Sequence, residues 1–283
     1  MWTSNITLKR STKETNIILF FNKKFSRDDY FFNRIYFDNF DNKNDIVKSL
    51  GFLKRFLMLE GISGYLYIKN DMTTTYLRKQ LKNRGFSCVD SILTLESSPS
   101  TLSSDQNINT IKNLEKKISV TKINDDPILL NAWIRIFCQS FNIKVMEPYS
   151  EIVNKNKYRF LFLLASLKNK DKRKKKDKKY KESKENNNNS YDADNEDDDD
   201  DFPAGVCLLF EKYGCLGLYC LGTLPNFRNR GIAQTILKTS LQIAHTMKYN
   251  KIFLQTFQND NYIDFYKKFK FKVIDKRKIF QIN

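Results

Sequence analysis

The segment Leu224–Ala233, with the sequence LPNFRNRGIA, constrains the fold of this 283-residue chain more than any other stretch. An apolar, strand-like run (216–224) precedes it, and a run with helical periodicity (232–249) follows it. The first N–H groups of a helix have no intrahelical acceptor and lie at the positive end of the helix dipole. A glycine at this junction, Gly231, lets the backbone approach a ligand closely. The segment therefore predicts an anion-binding turn between a strand and a helix, suited to a phosphate.

The residues of this turn narrow the kind of phosphate ligand. Arg228 and Arg230 can add charge-assisted hydrogen bonds to an anion. The sequence contains neither the G-x-x-x-x-G-K-[ST] pattern of P-loops nor the G-x-G-x-x-G pattern of dinucleotide-binding folds. It has Pro225, Arg228, Gly231 and Ala233 instead. This pattern resembles the pyrophosphate loop of the GNAT superfamily of acetyl-CoA-dependent N-acetyltransferases, whose usual form is [QR]-x-x-G-x-[GA].

A second motif near the end of the sequence strengthens the resemblance. A strand-like run (252–256) is followed by Asn259, by Tyr266 seven residues later, and by a Lys-Phe pair at 270–271. The family pattern is a strand, then N-x-x-A-x-x-x-Y, then a Gly-Phe pair. Tyr262 stands where alanine is usual and Lys270 where glycine is usual, so the chain departs from the family at two positions.

The resemblance implies direct transfer of an acetyl group from acetyl-CoA to a primary amine in a ternary complex. Backbone N–H groups of the turn would hold the pyrophosphate, and the preceding strand would pair with the pantetheine arm and polarise the thioester carbonyl. Tyr266 would act as the general acid for the departing thiolate. No metal is expected. The implied cofactor-binding residues are Leu221, Gly222, Thr223, Arg228, Asn229, Arg230, Gly231, Ile232, Ala233, Gln234 and Asn259.

The general base and the acceptor are not apparent from the sequence. The strand 251–257 carries Leu254 and Gln255 where the family often has a carboxylate. Ordered water stays open as a route for the proton, as do four side chains: Tyr158, Tyr219, Glu147 and Glu151. For the acceptor, an amino-sugar phosphate or another small-molecule amine is preferred over a protein N-terminus or lysine. The alternative to an enzyme is a catalytically inactive acyl-CoA-binding regulator or scaffold.

Composition limits the partners and the compartment. The net charge is +17, and residues 202–283 carry 13 basic but only 4 acidic side chains, which suits an anionic cofactor. Nucleic acid is the less favoured partner, since no pattern of a nucleic-acid module occurs. No apolar run reaches the ~18 residues that a membrane helix needs, and no secretory signal is present, so we expect a cytoplasmic location with the nucleus left open.

Five cysteines without a C-x-x-C pair predict buried free thiols: Cys88, Cys138, Cys207, Cys215 and Cys220.

The chain is predicted to contain two domains. Residues 118–283 predict the element order β-α-α-β-β-β-α-β-α-β, which is that of the GNAT fold, interrupted by a low-complexity insert at 168–201. The insert holds 11 basic and 12 acidic side chains, and we expect it to be disordered. A tolerated loop expansion is preferred over the alternative, a nuclear-localisation or nucleic-acid arm. Residues 1–97 predict β-β-α-β-α-β and resemble a degenerate GNAT half, joined by a linker at 98–117. The predicted fold class is therefore α+β (mixed α/β), with a central mixed sheet and flanking helices, preceded by a smaller α/β domain.

Two local predictions are specific enough to check residue by residue. Asp126 is the predicted N-cap of a helix over 127–141, with Pro127 at its first position. The residues 211–214 are the predicted turn of a hairpin between strands at 204–210 and 215–224.

Overall fold

The computed structural model describes residues 6–11, 15–21, 33–40, 43–61, 64–72, 74–99, 117–168 and 201–282. The chain divides into two compact units, one formed by Met1–Ser98 with Phe253–Asn283 and the other by Pro99–Ile252. The first unit therefore includes residues that the sequence-based division assigns to the second domain. That division, 1–97 and 118–283, stays a prediction. The linker residues 100–116 and the insert residues 169–200 lie outside the described residues.

The first unit is built on a mixed sheet in the order β1-β2-β3-β4-β11-β5-β10. Strands β3 and β4 are parallel, whereas β1–β2, β2–β3, β4–β11 and β5–β11 are antiparallel. Its strands are β1 (Ile6–Ser11), β2 (Thr15–Phe21), β3 (Arg34–Phe40), β4 (Tyr65–Lys69), β5 (Phe86–Ser97), β10 (Lys251–Phe257, mostly in this unit) and β11 (Lys272–Ile282). Its helices are α1 (Lys43–Glu60), α2 (Thr75–Asn83) and the short α6 (Ile263–Lys267), with a 3₁₀ turn at Asn70–Met72.

Helices α1 and α2 bury their apolar stripes in one core with the sheet. The side chain of Thr74 caps α2 by accepting a hydrogen bond from the Leu77 N–H over 3.2 Å. The helix residues in this core are buried together with strand residues such as Leu66 and Ile68. The helix residues of the core recur at helical spacing: Ile46, Leu50, Leu53, Leu57, Leu77 and Leu81.

The last strands of the two halves of the sequence lie side by side in this unit. Strand β11 pairs with both β4 and β5, and β5 in turn neighbours β10. Each of these last strands begins in the same way. Gly85 (φ 80°) and Lys270 (φ 61°) are left-handed, and a buried phenylalanine follows each: Phe86 and Phe271. This repeated ending agrees with a tandem arrangement of related halves.

The second unit is an antiparallel sheet in the order β6-β7-β8-β9 with three described helices. Its strands are β6 (Ile118–Lys122), β7 (Leu161–Leu167), β8 (Phe202–Lys212) and β9 (Cys215–Thr223). Its helices are α3 (Pro127–Ser140), α4 (Glu147–Asn156) and α5 (Ile232–Thr246). Leu167 pairs with Phe202, so the strands on either side of the insert are bonded directly to each other.

Helices α3 and α5 cover opposite faces of β8 and β9. A Cβ atom placed on Gly205 of β8 would lie 2.4 Å from Ile232 Cγ2 of α5. One placed on Gly222 of β9 would lie 2.9 Å from Ser140 Cβ of α3. Gly205 pairs with Thr223, which is the neighbour of Gly222, and neighbouring residues of a strand face opposite sides. Both helices therefore pack against the strands where glycine leaves room.

Most of the predicted elements are confirmed, with several boundary errors. The order of elements over 118–283 is as predicted. Asp126 Oδ1 accepts hydrogen bonds from Ile128 and Leu129, each over 2.9 Å, and Pro127 opens α3. The two residues of the hairpin loop are Tyr213 and Gly214. Both have left-handed backbone conformations, as the common two-residue turn requires.

Some predicted boundaries were wrong, and β1 was missed. Helix α3 ends at Ser140 rather than 141, and α5 ends at Thr246 rather than 249. At the end of α5, the N–H of Met247 still bonds to the Ile243 carbonyl, but Lys248 is left-handed and stops the helix. None of the described helices has the length and apolar character needed to cross a membrane. The cysteines are free thiols, and Cys138 and Cys207 are buried as predicted. The prediction of burial was wrong for Cys88, which is exposed, and for Cys215 and Cys220, which are half-buried.

Candidate functional site

The turn between β9 and α5 has the backbone geometry of an anion-binding loop. Asn229 (φ 61°) and Gly231 (φ 84°) are left-handed, and Gly231 is the N-cap of α5. The Gly231 carbonyl accepts the Thr235 N–H over 2.9 Å, which starts the helix. Left-handed residues in such a turn bring consecutive N–H groups to one concave side. The first turn of α5 contains no acidic residue, so its N–H groups present a positive dipole end without a competing carboxylate.

Strand β9 is irregular where it approaches this turn. Val206 pairs with Gly222 but Leu208 pairs with Tyr219, so β9 carries one more residue than β8 over this stretch. Cys220 lies at this bulge and is left-handed, with φ 55°. A bulge bends and twists its strand and interrupts the ladder of hydrogen bonds. The predicted pantetheine strand, Leu221–Thr223, thus follows a bulge that no glycine or proline announced in the sequence.

The two arginines of the turn have different surroundings. Arg228 donates from Nη2 to the Ser140 carbonyl over 3.1 Å and from Nε to the Thr223 carbonyl over 3.4 Å. The guanidinium of Arg230 lies over the ring of Phe227, 5.1 Å from its centroid, and Phe227 stacks on Phe202 at 4.8 Å. Both arginine side chains are exposed. Arg228 therefore joins the ends of α3 and β9, whereas Arg230 lies on an aromatic pair at the surface of the turn.

The site residues of this unit suit a ligand that brings both anionic and polar groups. Thr223 Oγ1 and Ser140 Oγ are buried and have no hydrogen-bond partner among the described residues. An unpaired buried hydroxyl costs about 1–3 kcal/mol, so a ligand that pairs with it gains affinity. Together with the left-handed N-cap of α5, this makes the second unit fit a phosphate-bearing, amide-containing ligand such as acetyl-CoA. Among the described residues, no group of three or more His, Cys, Asp or Glu side chains could hold a metal ion.

Asn259 and Tyr266 belong to the first unit. Asn259 follows β10; its N–H bonds to Asp90 Oδ1 over 3.3 Å and its Nδ2 to the Val89 carbonyl over 3.4 Å. Next to it, burial and the nearby carboxylate of Asp90 raise the pKa of Asp260. These contacts with β5 could not be predicted, because they depend on how the first half of the sequence packs.

Tyr266 is the buried residue of α6. Its ring meets those of Phe265 and Phe271 edge-on, with centroids 5.2 Å and 6.2 Å away. Its carbonyl accepts the Phe269 N–H over 2.9 Å, which closes the turn that leads to Lys270. The left-handed conformation of Lys270 explains why glycine is usual at this position in the family. The role of Tyr266 as a general acid stays a prediction.

The residues considered for the general base are spread over the second unit. Tyr158 is 81% exposed, beside the ammonium of Lys157, and Tyr219 is 39% exposed. Glu147 and Glu151 lie on α4 and are exposed. Burial raises the pKa of the Cys138 thiol to about 11, and the charge of Glu147 adds to this rise.

Comparison with known proteins identifies the class of this fold. Residues 158–271 match the Acetyltransferase (GNAT) family, a segment that includes the turn, Asn259 and Tyr266. No curated protein sequence matches the chain. The chain thus carries a domain of the GNAT superfamily, and acyl transfer is the general chemistry that this domain supports.

Solved structures show the same fold over nearly the whole chain. A GCN5-related N-acetyltransferase from Sphaerobacter thermophilus has a TM-score of 0.63 at 11% identity, over 95% of this chain and 76% of that one. One from Kribbella flavida has a TM-score of 0.58 at 12% identity, over 97% and 89%. A tandem GNAT protein from the clavulanic acid biosynthesis pathway has a TM-score of 0.59 at 7% identity, over 98% and 83%. The fold is therefore that of GNAT proteins, tandem ones included.

Proposed function

We propose that the chain is an N-acetyltransferase that transfers an acetyl group from acetyl-CoA to a primary amine in a ternary complex. The observation that carries this proposal is the turn at the start of α5, where left-handed Asn229 and Gly231 precede free helical N–H groups. These two residues belong to the motif Arg228-x-x-Gly231-x-Ala233. In this proposal the N–H groups of residues 229–234 hold the pyrophosphate. Leu221–Thr223, after the bulge, pairs with the pantetheine arm.

The residues of the chain would divide the chemistry between them. When bound, acetyl-CoA supplies an acetyl group whose carbonyl carbon exchanges its bond to sulfur for a bond to the amine nitrogen. A backbone N–H of β9 would stabilise negative charge on the carbonyl oxygen. Tyr266 would give its phenolic proton to the departing sulfur, and the proton lost by the amine would return to the phenolate through ordered water.

The acceptor proposed first is a small-molecule amine, with an amino-sugar phosphate preferred. The support is electrostatic: residues 202–283 carry 13 basic and 4 acidic side chains, which favours an anionic molecule near the site. One structure with the same fold, at a TM-score of 0.57 and 12% identity, is described as a fungal glucosamine N-acetyltransferase region. Its match covers 31% of that chain and shows the fold alone.

Calorimetric titration with acetyl-CoA tests the cofactor site. We expect wild-type protein to bind in the micromolar range and Gly231→Trp to lose binding, because an indole at the left-handed N-cap fills the turn. The matched control is Gly214→Trp. Gly214 is also left-handed and exposed, but it lies in the turn at the opposite end of β9. The same backbone strain, about 1–2 kcal/mol, then arises away from the site. Equal affinity of all three proteins, or no binding by any, would contradict the proposal.

Turnover separates an enzyme from a binding protein. Thiol release should be measured with three amine classes: amino-sugar phosphates, peptides with a free N-terminus, and lysine peptides. With the best acceptor, Tyr266→Phe should lower kcat by about 10²-fold or more while the affinity for acetyl-CoA stays unchanged. Wild-type protein that binds acetyl-CoA and releases no thiol with any class would favour the regulator or scaffold instead.

A further inference from the structure

Arg228 is expected from the motif to contact phosphate, but its side chain is bonded elsewhere. Its Nη2 lies 3.1 Å from the carbonyl oxygen of Ser140, and its Nε lies 3.4 Å from that of Thr223. Ser140 is the last residue of α3, and Thr223 is the last residue of β9. A cation at the C-terminus of a helix is favoured there, because the unpaired carbonyls carry the negative end of the helix dipole.

The end of α3 and the end of β9 also pack directly against each other. Gly222 lies against the end of α3, where an added Cβ would come within 2.9 Å of Ser140 Cβ and 3.0 Å of the Phe141 ring. The end of α3 is thus held on β9 by direct contact at Gly222 and by the two hydrogen bonds of Arg228. A bulge at Cys220 interrupts β9 just before this point, and the ladder with β8 resumes at Gly222 and Thr223, so these contacts with α3 add to that ladder in placing the strand end.

We propose that Arg228 is a positioning residue, which holds Gly222 and Thr223 against the end of α3 so that this strand end can accept the pantetheine arm. This inference rests on the proposed function. Recognition of the phosphates falls to the backbone of the turn and to Arg230, whose guanidinium is exposed on the Phe227 ring.

Comparing CoA with its nucleotide half tests whether Arg228 positions the strand end or binds the phosphates directly. Affinities should be measured by calorimetry for CoA and for adenosine 3′-phosphate 5′-diphosphate, which has the phosphates but no pantetheine arm. Arg228→Met should lower the affinity for CoA by about tenfold or more and change the affinity for the nucleotide by no more than about twofold. The reason is that the substitution removes two hydrogen bonds that support the strand end. Arg230→Met is the matched comparison: it should weaken both ligands by a similar factor.

A conservative variant adds an independent check. The amide nitrogen of Arg228→Gln takes the place of Nε, so it keeps the bond to Thr223 while the charge is lost. We expect its CoA affinity to lie between those of wild type and Arg228→Met. A general loss of stability would not separate CoA from the nucleotide.

The inference is overturned if Arg228→Met weakens both ligands equally or weakens neither. It is also overturned if Arg228→Gln is as weak as Arg228→Met. If wild-type protein binds CoA but the Arg228 variants behave in one of these ways, only the positioning role fails. If wild-type protein binds neither ligand, the proposed function itself fails.

Discussion

The indole N–H of Trp133 donates a hydrogen bond to the carbonyl oxygen of Cys207 over 3.1 Å, and both residues are buried. This bond joins α3 to the middle of β8. Trp133→Phe should keep the stacking on Phe137 and the edge contact with Phe162. It would remove this donor from the Cys207 carbonyl and leave a void beside the smaller ring, which together cost about 2–4 kcal/mol. Urea unfolding of both proteins measures this difference in the free energy of unfolding, and equal midpoints would contradict it.

The N-cap of α3 gives a second prediction about stability. Asp126 Oδ1 accepts the N–H groups of Ile128 and Leu129, each over 2.9 Å. Asp126→Ala should lower the free energy of unfolding by about 1 kcal/mol, because two helix donors lose their acceptor. Asp126→Asn keeps a side-chain oxygen and serves as the control, with a smaller loss expected. Thermal unfolding of the three proteins is the measurement, and a larger loss in the Asn variant would contradict the capping role.

The buried thiol of Cys138 predicts a loss of stability at alkaline pH. Burial, with the charge of Glu147, raises the pKa of Cys138 from its ordinary value of 9.0 to about 11. Between these values the unfolded chain releases the proton while the folded chain keeps it, so stability falls as pH rises. The resulting loss in the free energy of unfolding is on the order of 1–3 kcal/mol.

Cys138→Ala tests the source of that alkaline loss. The variant should be less stable than wild type at pH 8, because a buried side chain has been shortened. Its free energy of unfolding should then fall less steeply than that of wild type between pH 9 and pH 11. Denaturant unfolding at a series of pH values measures both slopes. Equal slopes for the two proteins would show that Cys138 is not the cause of the alkaline loss of stability.

Features that depend on neighbours in sequence could be predicted well. The cap at Asp126 and the turn at Tyr213 and Gly214 follow from local hydrogen bonding and from the backbone freedom of particular residues. The motif around Gly231 predicted the turn between β9 and α5, and the structure adds that Gly231 is left-handed there. Periodicity identified the helices, although their ends depend on single residues such as the left-handed Lys248.

Features that depend on distant contacts could not be predicted. The pairing of β11 with β4 and β5 joins residues about 200 positions apart, and no local pattern specifies that partner. The bulge at Cys220 has no glycine to signal it. The bonds of Arg228 to Ser140 and Thr223 depend on the position of α3, so the motif alone predicted a phosphate contact for this side chain.

Substitution of glycine by alanine should have different effects on stability at two positions of β9. An added Cβ on Gly222 would meet Ser140 Cβ at 2.9 Å, close to the helix backbone. For one on Gly217 the nearest atoms belong to the ring of Tyr219, which is 39% exposed and can swing aside. Gly222→Ala should therefore cost about 1–3 kcal/mol, whereas Gly217→Ala should cost little. Urea unfolding decides this, and a larger loss for Gly217→Ala would contradict the packing described.

Removing most of the insert should stabilise the chain. Leu167 and Phe202 pair directly, and Lys168 donates its N–H to the Lys117 carbonyl over 2.9 Å, so both strand ends are held without the insert. Replacing residues 170–199 by a four-residue turn shortens the loop between Leu167 and Phe202 about fourfold, and each doubling of loop length costs about 0.6 kcal/mol. We expect the free energy of unfolding to rise by about 1 kcal/mol and acetyl-CoA affinity to stay unchanged. Lower stability or weaker binding in the shortened chain would show that the insert contributes contacts of its own, against its prediction as a tolerated expansion.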